Sequence, residues 1–133
     1  MVIDVSLLDQ LSEEARCNPR LRKNYDLRNS ADDCSQRMLN ALEPGTVMPI
    51  HRHRTSSESV MVLRGSIRQN FYNSDGKRTS SWILASGTAT VGCQIPVGQW
   101  HNLECLEAGT VIFEAKDGPW EPLCETDILY RTD

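Results

Sequence analysis

The stretch GTVMPIHRHRTSSESVMVLRG, residues 45–65, places two of the three histidines in this chain one residue apart. His51 and His53 have the spacing of an extended strand, on which both imidazoles project from one face about 6 to 7 Å apart. Glu58 follows a polar turn, so an antiparallel return strand can bring its carboxylate beside the histidines. The stretch therefore predicts a strand, a turn and a second strand that share a polar inner face.

From Cys34 onward the chain has the composition of an all-β domain. Short runs of β-type residues alternate with Gly, Pro, Asn and Asp, and SDG at 74–76 predicts a hairpin turn. Before them, Leu7, Leu8, Leu11 and Ala15 recur at helical spacing and predict a helix over about 6–17 that is capped by Ser6. The eight predicted strands span about 35–42, 46–53, 59–64, 66–72, 79–84, 88–95, 100–107 and 110–116.

We therefore predict a single domain overall, an antiparallel sandwich or barrel over residues 34–133. The N-terminal helix and an extended, polar arm over residues 1–33 are predicted to pack on it. The length of 133 residues allows one sizeable core. Such a domain leaves the polar inner face of residues 45–65 pointing into a barrel.

Charge and cysteine content exclude several classes of partner. The 14 basic and 18 acidic residues give a net charge of −4, which argues against nucleic-acid binding. No signal-peptide pattern and no run of 18 apolar residues is visible, so no membrane contact and a cytoplasmic location are predicted. The five cysteines form no C-x-x-C and are predicted to be free, mostly buried thiols: Cys17, Cys34, Cys93, Cys105 and Cys124.

The third histidine, His101, follows a bend at Pro96 and Gly98 and is expected to lie across the barrel from His51. Three neutral imidazoles and one carboxylate suit Fe(II), Mn(II), Ni(II), Cu(II) or Zn(II) better than Ca or Mg. Alternatively, Glu58 pairs with a surface arginine and His101 is a hydrogen-bonded core residue. The favoured interpretation is one divalent transition-metal ion bound by His51, His53, Glu58 and His101.

These residues resemble the two sequence motifs of the cupins. The first motif, G-x5-H-x-H-x3-4-E-x6-G, is matched at every fixed position by Gly45, His51, His53, Glu58 and Gly65. The second motif, G-x5-P-x-G-x2-H-x3-N, is matched by Pro96, Gly98 and His101, with Thr90 and Cys105 in place of its outer Gly and Asn. The departures leave every ligand position of the motifs filled.

Residues 20–122 are similar to the WbuC-type cupin fold metalloproteins, which are often encoded in polysaccharide gene clusters. The segments that carry the similarity are RKNYDLR, QRMLNALEPGTVMPIHRH and IPVGQWHNLECLEAGTVIFEAKDGPW. The resemblance implies a cupin-type double-stranded β-helix (jelly-roll) barrel, a bound metal ion and a homodimer. It leaves the reaction open.

Further residues are candidates for the pocket around the metal. Glu58 is a candidate base if it swings away from the ion. Cys105 lies four residues after His101 and so faces the same way, although a small buried hydrophobe is the simpler interpretation. Arg22, Lys23 and Arg37 would bind a substrate phosphate or carboxylate if the arm folds over the mouth. The predicted pocket residues are Met38, Gln94, Trp100 and Cys105.

The leading functional hypothesis is a metal-dependent enzyme, an isomerase or an oxygenase, that acts on a small polar molecule such as a sugar derivative. A non-catalytic cupin that binds or senses a small molecule through the same metal is the alternative, because no separate acid or base can be named. A metal-free, epimerase-like cupin is disfavoured, since it gives no reason for the H-x-H pair together with His101.

Overall fold

The computed structural model describes residues 1–130, in which one helix precedes a series of short strands. The last three residues of the predicted 34–133 domain lie outside the described part. The elements are α1 (Val5–Arg16), β1 (Arg22–Asp26), β2 (Ser35–Leu42), β3 (Ile50–His51), β4 (Glu58–Arg64), β5 (Ser66–Tyr72), β6 (Arg78–Ala85), β7 (Gly92–Ile95), β8 (Trp100–Cys105), β9 (Thr110–Asp117) and β10 (Ile128–Leu129).

The strands form two five-stranded antiparallel sheets. One sheet has the order β1-β2-β9-β4-β7, and the other has the order β10-β3-β8-β5-β6. All eight predicted strands are present, although the second one shrinks from 46–53 to Ile50–His51. His53 therefore lies in the loop beyond β3 rather than on a strand.

Helix α1 begins one residue earlier than predicted and is capped by Asp4, not by Ser6. Asp4 has extended backbone angles, and its carboxylate accepts a hydrogen bond from Leu7 N at 3.0 Å. Ser6 lies inside the first turn, where it cannot act as the cap. The buried face of the helix packs on the outer side of the first sheet. There Leu8, Leu11 and Ala15 of the helix form one cluster with Leu39, Ala41 and Val111 of the sheet.

Strand β1 was missed by the sequence analysis, which predicts a polar, turn-rich arm over this segment. The strand pairs with β2 from Arg22 opposite Leu42 to Asp26 opposite Met38. Its five residues, RKNYD, show no apolar alternation. They can still form a strand, because β1 lies at the edge of the sheet and is held by backbone pairing with β2. The arm is thus part of the first sheet, and this places its side chains beside the site.

Apolar side chains fill the space between the two sheets at one end only. There the inner faces contribute apolar side chains, namely Leu42, Val60, Val62, Ile67, Leu84, Ile95, Leu103, Cys105 and Ile112. Along β4 and β9 the same inner face then becomes polar, since Val60 pairs with Glu114 and Glu58 pairs with Lys116. The opposite end is therefore polar, and the histidines lie there.

Gly65 forms the tight connection between β4 and β5. Its φ of +84° lies in the left-handed region, and a Cβ at this position would lie 2.2 Å from Thr110 Oγ1 and 2.8 Å from Thr110 Cα. Only glycine adopts this positive φ without strain and also has no Cβ to collide with Thr110 at the start of β9. This explains physically the glycine that closes the first cupin motif.

The cysteines differ from the prediction in their burial. All five are free, as predicted, but Cys17, Cys34 and Cys124 are exposed and only Cys105 is buried. The expectation of mostly buried thiols was wrong, because three of the five lie in polar connecting segments. Among residues 1–130, no helix has the length and apolar character needed to cross a membrane.

Candidate metal centre

Three histidines converge at the polar end of the space between the sheets. His51 on β3 is directly paired with His101 on β8. His53 follows β3, and its backbone carbonyl accepts a hydrogen bond from Gly98 N at 2.8 Å, which ties this loop to the bend before β8. One potential ligand atom from each of the three rings lies within 4.8 Å of the others, so this group could hold a metal ion.

Two of the rings are oriented by the same backbone contact. His51 Nδ1 lies 2.9 Å from the carbonyl oxygen of Pro49, and His101 Nδ1 lies 2.8 Å from that of Gln99. A carbonyl oxygen only accepts, so each Nδ1 carries a hydrogen, and in the neutral ring Nε2 then presents its lone pair. This is the tautomer that a metal site requires.

Glu58 reaches the histidines from the other sheet. It is 5% exposed, and its Oε2 lies 3.4 Å from His101 Nε2 and 3.6 Å from His53 Nε2. Within residues 1–130, neither Glu58 Oε2 nor His53 Nε2 has a hydrogen-bond partner, although both atoms are buried. Buried polar atoms are normally satisfied, so two that face each other without a partner fit a cation between them.

Electrostatics favour the ligand forms of these groups. Burial, with a contribution from nearby His101, lowers the pKa of His51 to about 3. Burial, followed by the charge of Lys116, lowers the pKa of His53 to about 4. Burial raises the pKa of Glu58, but its contact with His101 and the charge of Lys116 outweigh this effect and hold the pKa at about 2. Neutral imidazoles and an ionised carboxylate are the forms that bind metal.

A second buried carboxyl, Glu114, was missed by the sequence analysis. It lies on β9 beside Glu58 and is 7% exposed. Burial, followed by the negative charge of Glu58, raises its pKa to about 7. The available signal was the alternation of TVIFEAK, which puts Glu114 on the same face as Ile112. Of the two neighbouring carboxyls, Glu114 is therefore the one that holds a proton more readily near neutral pH.

The histidines and Glu58 line a cavity of about 570 Å³, which Met38, Asn40, Gln69 and Glu114 also line. Asn40 is 4% exposed and Gln69 is 1% exposed. The side-chain amide oxygens of both residues lack a hydrogen-bond donor within residues 1–130. The cavity is thus of small-molecule size and has two buried acceptors in the same lining as the histidines.

Only one of the four predicted pocket residues, Met38, lines this cavity. Gln94 is exposed on the outer side of β7, where it accepts a hydrogen bond from Ser59. Trp100 precedes the inward-facing His101, so strand alternation turns it outward, under the guanidinium of Arg52. Cys105 faces inward as expected but is packed in the apolar core at the other end.

A C-terminal strap, residues 118–127, forms part of the cavity wall. Its Trp120 lines the cavity and is 59% exposed. The strap is anchored at one end where Asp117 accepts hydrogen bonds from Ser56 and Ser57. At the other end, Asp127 accepts from Arg54 at 2.5 Å and from Arg52 at 3.2 Å. Residues far apart in the sequence thus complete the wall near the histidines.

Comparison with solved structures places the fold among the cupins. The capsular polysaccharide assembling protein CapF of Staphylococcus aureus matches with 21% identity and a TM-score of 0.67 over 85% of this chain and 32% of CapF. KdgF from Halomonas sp. matches with 14% identity and a TM-score of 0.61 over 77% of this chain and 84% of KdgF.

A third similar structure is an E162A mutant of the Bacillus subtilis oxalate decarboxylase OxdC, with 20% identity and a TM-score of 0.55 over 73% of this chain and 25% of the enzyme. The chain thus spans about a third of the length of CapF and a quarter of that of OxdC. These neighbours are cupin-type proteins, so the chain has a cupin-type fold.

Among curated protein sequences, none matches the chain. A family model does match, over residues 3–84, from the N-terminal helix to β6. The matched part contains three of the four candidate ligands, His51, His53 and Glu58. Because this model covers more than half of the sequence, the chain belongs to the family described as domain of unknown function DUF6016.

Proposed function

We propose that the protein is a metal-dependent enzyme that acts on a small, oxygen-rich molecule such as a sugar derivative. The observation that carries the proposal is the convergence of three histidine ligand atoms within 4.8 Å, with the unpartnered Glu58 Oε2 beside two of the rings. These four side chains would hold one divalent transition-metal ion, for which Fe, Mn, Ni, Cu and Zn suit the donor set. Bound there, the ion supplies Lewis acidity for an isomerisation or, as iron, a redox centre for an oxidation.

Glu114 supports an enzyme over a simple binding module. It is a buried carboxyl on the cavity wall, next to Glu58 but outside the group of histidines. From this position it can exchange a proton with a ligand that occupies the cavity, while Glu58 stays with the histidines. Glu114 is thus our candidate for the separate acid or base that the sequence alone did not reveal.

Two buried amide oxygens support a hydroxylated substrate. Asn40 Oδ1 and Gln69 Oε1 line the cavity from opposite sheets, and neither accepts a hydrogen bond within residues 1–130. A buried acceptor without a donor costs about 1 to 3 kcal/mol. Ligand hydroxyl groups that reach these two oxygens would offset this cost, whereas an apolar ligand would not.

Metal analysis of the protein purified without chelator, followed by turnover assays, tests the proposal. We expect close to one ion per chain, and loss of the ion in His53→Ala but not in Gln94→Ala, whose side chain lies outside the cavity. A panel of sugars and polyols assayed under air and under argon then separates oxidation from isomerisation. Less than about 0.2 ion per chain in the wild type would reject the metal site. Metal and ligand binding without turnover would instead identify the non-catalytic binding module.

The proposal extends to a role in polysaccharide-related metabolism and to a jelly-roll closure of the two sheets. One structural neighbour, CapF, is a capsular polysaccharide assembling protein, which supports the first point. The similarity to the WbuC-type proteins, which carries the sequence-based expectation of this role, stays a prediction, as does the homodimer.

A further inference from the structure

Three basic side chains line the cavity, and two of them already have acidic neighbours. Arg54 Nε lies 2.5 Å from Asp127 Oδ1. Lys116 pairs across the sheet with Glu58 and, like Glu58, lies close enough to Glu114 to influence its ionisation. Neither Lys116 nor the third residue, Arg22, makes an ion pair with a carboxylate of residues 1–130, but Arg22 is paired across the sheet with Leu42 rather than with an acidic residue. Arg22 is therefore the lining cation that is left to meet a ligand.

The register of β1 directs Arg22 into the cavity. Arg22 is paired with Leu42, a fully buried residue of the core between the sheets, and directly paired side chains share one face. The next residue, Lys23, is paired with Ala41, which belongs to the cluster under the helix on the outer face. Lys23 is exposed, whereas Arg22 is half-buried and lines the cavity.

The residue before Arg22 holds an unfavourable backbone conformation. Leu21 has a φ of +57°, which lies in the left-handed region that residues other than glycine rarely adopt. The conformation is enforced by two hydrogen bonds to the Leu21 carbonyl, from Glu43 N at 3.0 Å and from Thr46 Oγ1 at 2.7 Å. Strain of this kind persists where the surroundings fix it, and it is frequent next to functional groups. Here it sets the direction in which β1, and with it Arg22, enters the sheet.

We propose that Arg22 binds an anionic group of the ligand, so that the substrate is an acidic polyol with a carboxylate or phosphate and several hydroxyl groups. This inference rests on the proposed function for the placement of the ligand next to the metal centre. Arg22 would bind the anionic end, since a guanidinium matches the oxygens of a carboxylate or phosphate in two-point contact. Asn40 and Gln69 would accept hydrogen bonds from the hydroxyl groups between that end and the histidines.

Calorimetric titration with three probes tests the inference on the protein as purified, with its metal content measured. D-Glucitol is the neutral probe, D-gluconate carries a carboxylate, and D-glucose 6-phosphate carries a phosphate. We expect at least one anionic probe to bind roughly tenfold more tightly than D-glucitol. The anionic probe that binds more tightly shows whether Arg22 prefers a carboxylate or a phosphate.

The matched variants are Arg22→Met, Arg22→Lys and Lys23→Met. Arg22→Met should bind the anionic probes no more tightly than D-glucitol, Arg22→Lys should recover part of the preference, and Lys23→Met should behave as the wild type. Unchanged melting temperature and metal content show that each variant is folded. A wild type that does not prefer either anionic probe, or an Arg22→Met variant that keeps the preference, overturns the inference.

The two proposals fail in distinguishable ways. Absence of metal or of turnover rejects the enzyme, but it leaves the Arg22-dependent preference for anions measurable by calorimetry. A metal-containing, active protein that binds neutral and acidic polyols equally well rejects only the role of Arg22.

Discussion

His51 and His101 lie directly opposite each other on β3 and β8, with their ring centroids 4.3 Å apart. Each Nδ1 is held by the carbonyl of the residue two positions earlier, Pro49 or Gln99. The same local contact on two paired strands turns both Nε2 atoms toward the space between the sheets. The pair is therefore oriented by backbone atoms before any ligand binds, which lowers the cost of assembling a metal site.

Replacement of His101 by alanine should abolish metal retention. It removes the most buried of the three rings, at 3% exposure, together with the neighbour nearest to Glu58 Oε2. We expect less than about 0.2 ion per chain and loss of the rise in melting temperature on adding metal, a rise that reflects about 2.7 kcal/mol at a hundredfold excess over the dissociation constant. Cys105→Ala is the control, since Cys105 lies in the core and should leave the metal content unchanged. Full occupancy in the His101 variant would contradict the ligand assignment.

Much of the fold could be predicted from the sequence because its signals are local. Alternating runs between turn residues predict eight strands, and each of them is present. Strands β1 and β10 could not be predicted this way, since RKNYD has no apolar alternation and Ile128–Leu129 is two residues long. Both are formed by pairing with a strand that is distant in the sequence.

The residues of the site could be predicted only in part. The spacing of His51, His53 and Glu58 places them together through one strand, a turn and the next strand. The sequence offered Arg22 together with Lys23, and only the register of β1 with β2 separates the inward residue from the outward one. The position of Glu114 beside Glu58 likewise needed the register of β9 with β4, which depends on tertiary pairing. Trp100 is different, because alternation from an inward His101 already turns it outward and the sequence contained this signal.

Alanine at Gly65 should be much more damaging than alanine at Gly76. Both glycines have a positive φ, +84° and +79°, so the conformational cost of about 1 kcal/mol is shared. A Cβ at Gly65 would also overlap the Thr110 backbone at 2.8 Å, whereas a Cβ at Gly76 meets nothing within 4 Å. Chemical denaturation should show a loss of about 1 kcal/mol for Gly76→Ala and of 1 to 3 kcal/mol more for Gly65→Ala. Equal losses would mean that the contact with Thr110 has no energetic weight.

Asp127→Asn should loosen the C-terminal strap in a pH-dependent way. Burial opposes the ionised form of Asp127, but hydrogen bonds from Arg54 and Arg52 outweigh burial and keep its pKa below the usual 3.8. A carboxyl with a lowered pKa stabilises the fold above its unfolded value and loses this contribution as the pH falls through the folded value. We expect Asp127→Asn to cost about 1 kcal/mol at pH 7, and we expect the difference from the wild type to shrink as the pH falls below 3.8, as measured by urea denaturation. A difference that persists unchanged in acid would show that the ion pairs do not anchor the strap.

Glu114→Gln should remove part of the loss of folding stability that the metal-free protein undergoes as the pH rises. Burial and the negative charge of Glu58 raise the pKa of Glu114 to about 7, from 4.5 in the unfolded chain. The folded state therefore holds this proton more tightly, so its contribution is complete below pH 4.5 and is lost as the pH rises through about 7, by as much as about 3 kcal/mol. Glutamine keeps the shape and does not titrate, so the variant should gain stability relative to the wild type between pH 5 and pH 8.

Urea denaturation of both proteins over this range measures the difference in stability. The control is Glu121→Gln, which replaces an exposed carboxyl on the same cavity. A difference between the wild type and Glu114→Gln that does not change with pH would mean that Glu114 is ionised throughout, and that it cannot exchange a proton with a substrate near neutral pH.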